Sequence, residues 1–140
     1  MERDQKSELL KLFNEQAPIA RTFGMTLSFN DEGSAIIDLP YNPDLDHAMG
    51  GIHGGIYATL VDNAGWFTSA LSHKPGYWIA TSELSVHYFK PAMKCSLRAV
   101  GKMIKKGKRL DVVEVHLYDE HSSLVAHAVG SFMALPNIST

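Results

Sequence analysis

The sequence has 140 residues, of which 45% are hydrophobic and 20% charged, and a formal net charge of -2. This length and composition are those of one globular domain, which we expect residues 1–140 to form. The small negative charge provides no extended positive field for binding nucleic acid. The N-terminal residues lack the apolar run of a secretion signal or membrane span, which predicts a cytoplasmic protein that does not contact a membrane.

The chain has one cysteine, Cys95, so it cannot form an internal disulfide. A lone thiol is typical of a reducing compartment. Free cysteines more often act as small buried apolar side chains than as nucleophiles, and we expect the same of Cys95.

Hydrophobic periodicity divides the first half of the chain into a helix, two strands and a second helix. A short amphipathic helix is predicted over residues 4–16, where four apolar residues share one stripe and Pro18 lies just beyond. Strands are predicted over 25–29 and 35–39, joined by a turn. Residues 56–71 are apolar on most sides at helical spacing, which predicts a largely buried helix.

The second half is predicted to consist of four strands, over residues 78–89, 95–104, 110–119 and 124–135. In the third of these, hydrophobic and polar residues alternate, which is typical of a sheet with one covered face. The order of elements predicts an α+β fold in which an antiparallel sheet wraps around the buried helix. In this prediction the last four strands form a meander, preceded by the shorter strand pair.

The segment His53-Gly54-Gly55 lies at the entry to the buried helix. The first backbone N–H groups of a helix have no partners within the helix, and the helix dipole is positive there. Glycines at this point let a ligand approach the backbone closely. The segment therefore indicates a site at which a carbonyl oxygen is stabilised as it becomes an oxyanion.

Asp62 follows Gly55 by seven residues, or two helical turns, so both lie on the same helix face. A carboxylate among apolar neighbours needs either a polar partner or a chemical role. Taken alone, Asp62 is more often a structural residue that forms hydrogen bonds across an interface or to a loop. Together with the His-Gly-Gly segment, it indicates a base or nucleophile acting on a polarised carbonyl.

Two blocks of the sequence resemble one known family. Residues 53–62, HGGIYATLVD, are similar to the His-Gly-Gly…Asp segment of hot-dog acyl-CoA thioesterases, in the branch with the phenylacetate-pathway and 4-hydroxybenzoyl-CoA enzymes. Residues 81–92, TSELSVHYFKPA, resemble that family's strand ending in an aromatic–x–x–Pro–Ala turn. The similarity covers nearly the whole chain. It implies the hot-dog fold and hydrolysis of acyl-CoA thioesters, with no cofactor beyond the substrate.

The resemblance also implies roles for single residues. Gly54 would donate its backbone N–H to the thioester carbonyl, and Asp62 would activate water or attack the acyl carbon itself. His53 and Gly55 would shape this pocket, and Thr81 would help to hold the water. In this family the His-Gly-Gly segment of one chain faces the Asp of its partner, so we expect a homodimer, paired further into a dimer of dimers.

One position departs from the family's pattern. Several relatives have an Asn six residues before the His of the His-Gly-Gly segment, and here that position is His47. His47 either replaces the amide as a hydrogen-bond donor or is a solvated loop histidine.

Several positive residues are candidates for binding the phosphates of coenzyme A. A basic hairpin tip is more often only solvated. The resemblance, however, implies that loops at the mouth of the active site meet these phosphates, and a local cluster of positive charge suits that role. The candidates are Lys90, Lys94, Lys105, Lys106, Lys108 and Arg109.

Other chemistries find less support in the sequence. His116, His121 and His127 are close along the chain, but their spacing matches no compact zinc signature, so no metal is predicted. There is no Gly-x-Ser-x-Gly segment of a serine hydrolase. Two alternatives remain open: a hot-dog dehydratase or hydratase acting on acyl thioesters, and a non-catalytic module that binds acyl-CoA.

Overall fold

A computed structural model describes residues 2–136, which form helical segments and six strands. The helical segments are α1 (Glu2–Lys11), a π-helical turn (Leu12–Gln16), α2 (Pro18–Phe23), a 3-10 turn (Pro43–Leu45) and α3 (Gly54–Leu71). The strands are β1 (Thr26–Phe29), β2 (Ala35–Leu39), β3 (Trp78–Tyr88), β4 (Leu97–Lys105), β5 (Leu110–Asp119) and β6 (Leu124–Leu135). No helix in the described part of the chain has the length and apolar character needed to cross a membrane.

The N-terminal region contains one helix more than the sequence predicted. The predicted helix over residues 4–16 corresponds to α1 and the π-helical turn, and α2 follows after a single residue, Ala17. Pro18 was interpreted as a helix terminator, but it occupies the first turn of α2. Proline fits there because the N–H that it lacks would have no partner within the helix.

The six strands form one antiparallel sheet in the order β1-β2-β4-β5-β6-β3. The predicted four-strand meander is therefore wrong, because β3 pairs with β6 and not with β4. The connection from β2 to β3 runs through α3, whose 18 residues span about 27 Å. That length carries the chain across a sheet with strands about 4.8 Å apart and places β3 at the far edge.

α3 packs against one face of the sheet and forms the centre of the core. Leu60, Val61 and Ala64 of this helix are completely buried. Val113 and Val115 of β5 are also completely buried, and their polar neighbours in sequence lie on the other face. The predicted α+β architecture, a sheet wrapped on a buried helix, is confirmed.

Two glycines let α3 and the sheet approach each other closely. A Cβ atom on Gly101 of β4 would lie 2.8 Å from the backbone oxygen of Ala64 in α3. A Cβ atom on Gly65 of α3 would lie 2.5 Å from Cζ of Phe132 in β6. The backbone of α3 therefore lies close to that of β4 at Gly101, and at Gly65 it lies against the Phe132 ring.

A buried polar cluster attaches the C-terminal end of α3 to the hairpin between β4 and β5. Asp111 is completely buried, and its Oδ2 accepts a hydrogen bond from Ser69 Oγ and lies 2.6 Å from His73 Nε2. Its Oδ1 accepts the N–H of Gly107 in the hairpin at 3.1 Å. Because each carboxylate oxygen has a partner, the buried charge is compensated.

We predict that Gly101→Ala lowers the free energy of unfolding by about 1–3 kcal/mol, because the added methyl group meets a backbone atom that cannot rotate away. Chemical denaturation checks this. Lys102→Ala, at the exposed next position of β4, is the matched control and should change stability by less than about 0.5 kcal/mol. Equal stability of Gly101→Ala and the wild type would show that α3 can move away from the sheet at little cost.

Candidate active site

At the N-terminus of α3, the Gly54 backbone N–H has no acceptor among the residues that the structure describes. His53 caps the helix: its Nδ1 accepts the N–H of Gly55 at 2.8 Å, and its carbonyl oxygen accepts that of Ile56 at 2.9 Å. Among residues 2–136, the Gly54 N–H donates no hydrogen bond. Of these three N–H groups, the one on Gly54 is therefore available to a ligand.

The cap also determines which nitrogen of the neutral His53 ring carries the proton. Because Nδ1 accepts a hydrogen bond, the neutral imidazole carries its proton on Nε2. The side chain is exposed, so this second nitrogen can donate to a ligand. Gly55 leaves room for the ring, since a Cβ atom there would lie 3.0 Å from Nδ1 of His53.

Tyr88 lies next to the helix entrance and had no assigned role in the sequence analysis. Its hydroxyl donates to the carbonyl oxygen of Gly54 at 2.9 Å. A Cβ atom on Gly54 would lie 3.5 Å from the Tyr88 ring, so the ring forms a wall beside the free N–H. The available signal was the aromatic end of the 81–92 block, but its contact with Gly54 depends on the fold.

Asp62 and Thr81, predicted separately, are brought together. Asp62 is half-buried on α3, and its Oδ1 accepts a hydrogen bond from Thr81 Oγ1 of β3 at 2.7 Å. Asp62 Oδ2 receives no hydrogen bond from the residues that the structure describes. The carboxylate is thus held through one oxygen, and the other is available to water or a substrate.

An apolar cavity of about 450 Å³ lies beside Asp62, between α3 and the N-terminal helical segments. The polar edge of Trp66 is satisfied, because its indole N–H donates to the carbonyl oxygen of Ile79 at 2.8 Å. A cavity of this size and character suits a small organic group. Its apolar lining comes mainly from Leu12, Phe13, Pro18, Ile19, Trp66 and Phe67.

The predicted oxyanion donor, Gly54, and the predicted base or nucleophile, Asp62, are far apart within one chain. Gly54 and Asp62 are separated by eight positions of one continuous helix, which corresponds to about 12 Å. A thioester carbonyl is only about 1.2 Å long, the length of any C=O bond. With a hydrogen bond of about 2.9 Å at the oxygen and an approach of about 3 Å at the carbon, such a group spans about 7 Å. This is well short of the separation of Gly54 and Asp62 along α3.

His47 lies in a tight loop before the helix entrance. Its Nδ1 accepts the N–H of Met49 at 3.0 Å, and its backbone N–H bonds to the carbonyl oxygen of Gly51 at 2.8 Å. The side chain is exposed and, within the described residues, makes no hydrogen bond to the His-Gly-Gly segment or to Asp62. Its observed contacts are those of a residue that shapes the loop.

The candidate phosphate-binding residues fall into two groups. Lys90 follows β3 near Gly54, where its carbonyl oxygen accepts the Tyr57 hydroxyl at 3.1 Å and its Nζ lies 4.0 Å from Asp119. Lys94 is also exposed, after β3. The exposed tip with Lys105, Lys106, Lys108 and Arg109 lies at the other end of the sheet, where the Arg109 carbonyl accepts the N–H of Ala134. The structure does not bring the two groups together within one chain.

Cys95 is buried, as expected. Burial raises the pKa of its thiol, and the negative charge of Asp119 acts in the same direction. The protonated thiol is a poor nucleophile.

Residues 49–126, more than half of the chain, match the thioesterase superfamily. This chain belongs to the thioesterase superfamily. The family and its hot-dog fold, both expected from the 53–62 and 81–92 blocks, are confirmed.

Several relatives of this thioesterase-superfamily chain indicate its chemistry. A candidate esterase of Saccharolobus solfataricus is 30% identical over 105 residues, 75% of this chain and 74% of the relative. The 1,4-dihydroxy-2-naphthoyl-CoA hydrolase of Listeria monocytogenes is 22% identical over 107 residues, 76% of this chain and 87% of the relative. A crystal structure of a Bacillus halodurans protein with CoA has a TM-score of 0.82 and 32% identity, covering 97% of this chain and 89% of that one. Membership of the family supports thioester hydrolysis as the class of reaction.

For this member of the thioesterase superfamily, we predict that His53→Ala lowers the free energy of unfolding by about 1 kcal/mol, because the Gly55 N–H loses its cap. His53→Asn should recover most of this loss, since Asn is among the best N-cap residues. Denaturant unfolding of both variants checks the prediction. A loss of the same size in both would show that the contact with Gly55 is not what stabilises the helix end.

Proposed function

We propose that this protein hydrolyses acyl-CoA thioesters to a free acid and coenzyme A. The observation that carries this proposal is the Asp62 carboxylate, oriented by Thr81, at the edge of an apolar cavity of about 450 Å³. The cavity suits an acyl or aryl group, and the carboxylate lies where the reacting carbonyl would be. The CoA hydrolase among the relatives and the similar structure with CoA support coenzyme A as the thiol. The reaction needs no cofactor beyond the substrate.

In this proposal the Gly54 N–H polarises the thioester carbonyl. The negative charge that develops on the carbonyl oxygen during attack lies at the positive end of the α3 dipole. The Nε2–H of His53 lies in the same region as a further donor. Because the His53 cap already occupies the Gly55 N–H, the Gly54 N–H is the backbone donor left for the substrate.

Asp62 is the proposed general base or nucleophile. As a general base, its Oδ2 takes a proton from water while the water oxygen bonds to the carbonyl carbon; as a nucleophile, Oδ2 bonds to that carbon directly. In either case the carbon–sulfur bond then breaks and the CoA thiolate leaves, taking up a proton. In the first case the acyl group leaves as the free acid. In the second, water hydrolyses the mixed anhydride between the acyl group and Asp62, which releases the acid and restores the carboxylate. Thr81 keeps the free oxygen directed at the carbonyl by holding the other one.

In this proposal a second copy of the chain completes the site. Gly54 and Asp62 of one chain are about 12 Å apart along α3, which supports a site in which one chain holds the carbonyl and another attacks it. β3 is an edge strand, and most of its side chains are exposed. An unpaired strand edge is a ready surface for pairing with another strand. We therefore propose a homodimer, and its further pairing into a tetramer stays a prediction.

Antiparallel pairing of two β3 edges would bring the separated groups together. If the pairing is centred between Leu84 and Ser85, Tyr88 of one chain lies within about one residue of Thr81 of the other, given the register shift between Thr81 and Glu83. Tyr88 contacts Gly54, and Thr81 contacts Asp62. The free N–H of one chain would thus lie beside the carboxylate of the other.

The same pairing would bring the second copy's basic hairpin tip towards Gly54. That tip lies near the start of β3, which an antiparallel dimer places beside the end of β3 in the other chain. Lys90 of one chain and the tip of the other could then both face the CoA phosphates. The cytoplasm is the proposed location, since a lone thiol fits a reducing compartment.

We predict that Asp62→Asn lowers kcat by about 10²–10⁴-fold, because the amide can neither accept the proton nor attack the carbonyl. Binding of the substrate should be retained. Release of free thiol from a panel of aryl-, short-, medium- and long-chain acyl-CoAs measures this, with Thr81→Val expected to cause a smaller loss.

Asp44→Asn, which alters an exposed carboxylate in the loop before α3, is the matched control and should retain full activity. An Asp62→Asn variant with wild-type kcat would refute the proposed role of Asp62. A wild-type protein that binds acyl-CoA but hydrolyses none of the panel would instead support a binding module.

Gly54→Pro tests the oxyanion donor directly. Proline suits the first position of a helix, and the extended backbone of His53, with ψ at 136°, is compatible with a following proline. We expect kcat to fall by about 10²–10³-fold, because the substitution removes the N–H. Gly54→Ala keeps the N–H and adds a methyl group at ordinary contact distance from Tyr88, so it should lose much less.

Mixing the two inactive variants tests whether the site is shared. In a dimer of one Gly54→Pro chain and one Asp62→Asn chain, one of the two sites has both native groups. Refolding an equal mixture should therefore recover about a quarter of wild-type activity. No recovery from a mixture shown to contain mixed dimers would place the site within one chain.

A further inference from the structure

The face of the sheet that points away from α3 has a cluster of metal-binding side chains outside the proposed active site. Glu114 and His116 lie two residues apart on β5 and therefore share this face. His127 of β6 is the direct cross-strand partner of His116. The alternation that buries Val113 and Val115 against α3 directs Glu114 and His116 to the other face, and the pairing of His127 with His116 places it on that face too.

The three side chains already lie close enough to surround a small ion. One ligand atom from each of Glu114, His116 and His127 lies within 4.8 Å of the others. Nε2 of His127 is 2.8 Å from Oε2 of Glu114, and the rings of His116 and His127 are 5.0 Å apart, centroid to centroid. All three residues are partly buried, so each is held by its neighbours yet open to solvent.

We propose that Glu114, His116 and His127 bind one divalent transition-metal ion, such as Zn²⁺, per chain. Two imidazoles and one carboxylate are ligands that Zn²⁺ accepts, at about 2.0–2.2 Å from the ion. Ligand atoms in a tetrahedral site with such bonds are about 3.3 Å apart. The His127–Glu114 distance needs to open by about half an ångström, and the ligand atoms, all within 4.8 Å of one another, must close to this spacing at His116. Water would complete the coordination.

A lysine faces the cluster from the neighbouring strand β4. Lys102, opposite Glu114 on β4, disfavours a cation, but its side chain is exposed and can turn into solvent.

The site differs from the proposed active site in position and in chemistry. Asp62 and Gly54 belong to α3, which covers the opposite face of the sheet. A metal ion here would not contact the thioester. It would instead connect β5 to β6 and stabilise the folded chain, because unfolding separates the ligands.

Calorimetric titration of Zn²⁺ into the metal-stripped protein tests the proposal. We expect one ion per chain, with a dissociation constant on the order of 1 μM or lower. His116→Ala and His127→Ala should each weaken binding by at least about tenfold, the least that metal-site substitutions commonly cost. The midpoint of thermal unfolding should rise with Zn²⁺ in the wild type but not in these variants.

His121→Ala is the matched control, because His121 lies exposed in the turn between β5 and β6 and outside the cluster. It should bind Zn²⁺ like the wild type. Because these residues are remote from Asp62, thiol release should be unchanged in all variants, which separates this test from that of the proposed function. If His127→Ala does not fold, His116→Ala and Glu114→Gln report on the site independently. The proposal would be overturned if the wild type bound Zn²⁺ with no better than millimolar affinity. It would also be overturned if His116→Ala and His127→Ala bound Zn²⁺ as tightly as the wild type.

Discussion

The close packing of α3 on the sheet is the constraint on which the rest of the molecule depends. Gly101 lets the backbone of α3 approach β4 closely, and Gly65 makes room for the Phe132 ring of β6, so the helix packs tightly on the sheet. A helix held in this way is a rigid rod with a rise of about 1.5 Å per residue. The distance between Gly54 at its entrance and Asp62 two turns further on is therefore fixed, and it is too long for one carbonyl group. In the proposed mechanism, this distance is the reason why a second chain completes the site.

The environment of Asp62 is formed by elements that are distant in sequence. α1, the π-helical turn and α2 cover one side of α3 and leave the apolar cavity between them. Thr81 reaches Asp62 from the edge strand β3 and satisfies one carboxylate oxygen. A carboxylate with one oxygen held and the other free beside an apolar cavity is suited to accept a proton or attack a carbon. The same environment disfavours an unreactive structural role, in which both oxygens would be paired, as they are in Asp111.

The sheet separates the proposed active site from the proposed metal site, because successive side chains along each strand point to opposite faces. On β5, Val113 and Val115 pack under α3, while Glu114 and His116 face the other way. The inner face thus supports the helix that carries the proposed catalytic groups, and the outer face carries the proposed metal site. Neither depends on the other, since the ladder of backbone hydrogen bonds lies between them.

The sequence by itself determined the elements that depend on local pattern. The alternation in β5, the apolar circumference of α3 and the spacing of Gly54 and Asp62 all follow from residues near one another in the chain, and the two motif blocks indicated the family. Only the tertiary structure decided that β3 pairs with β6, that Tyr88 borders Gly54 and that His116 meets His127 across two strands. These contacts depend on the order of strands in the sheet, which is set by how α3 crosses it. No local periodicity records that order, because every antiparallel arrangement of the same strands buries the same alternating residues.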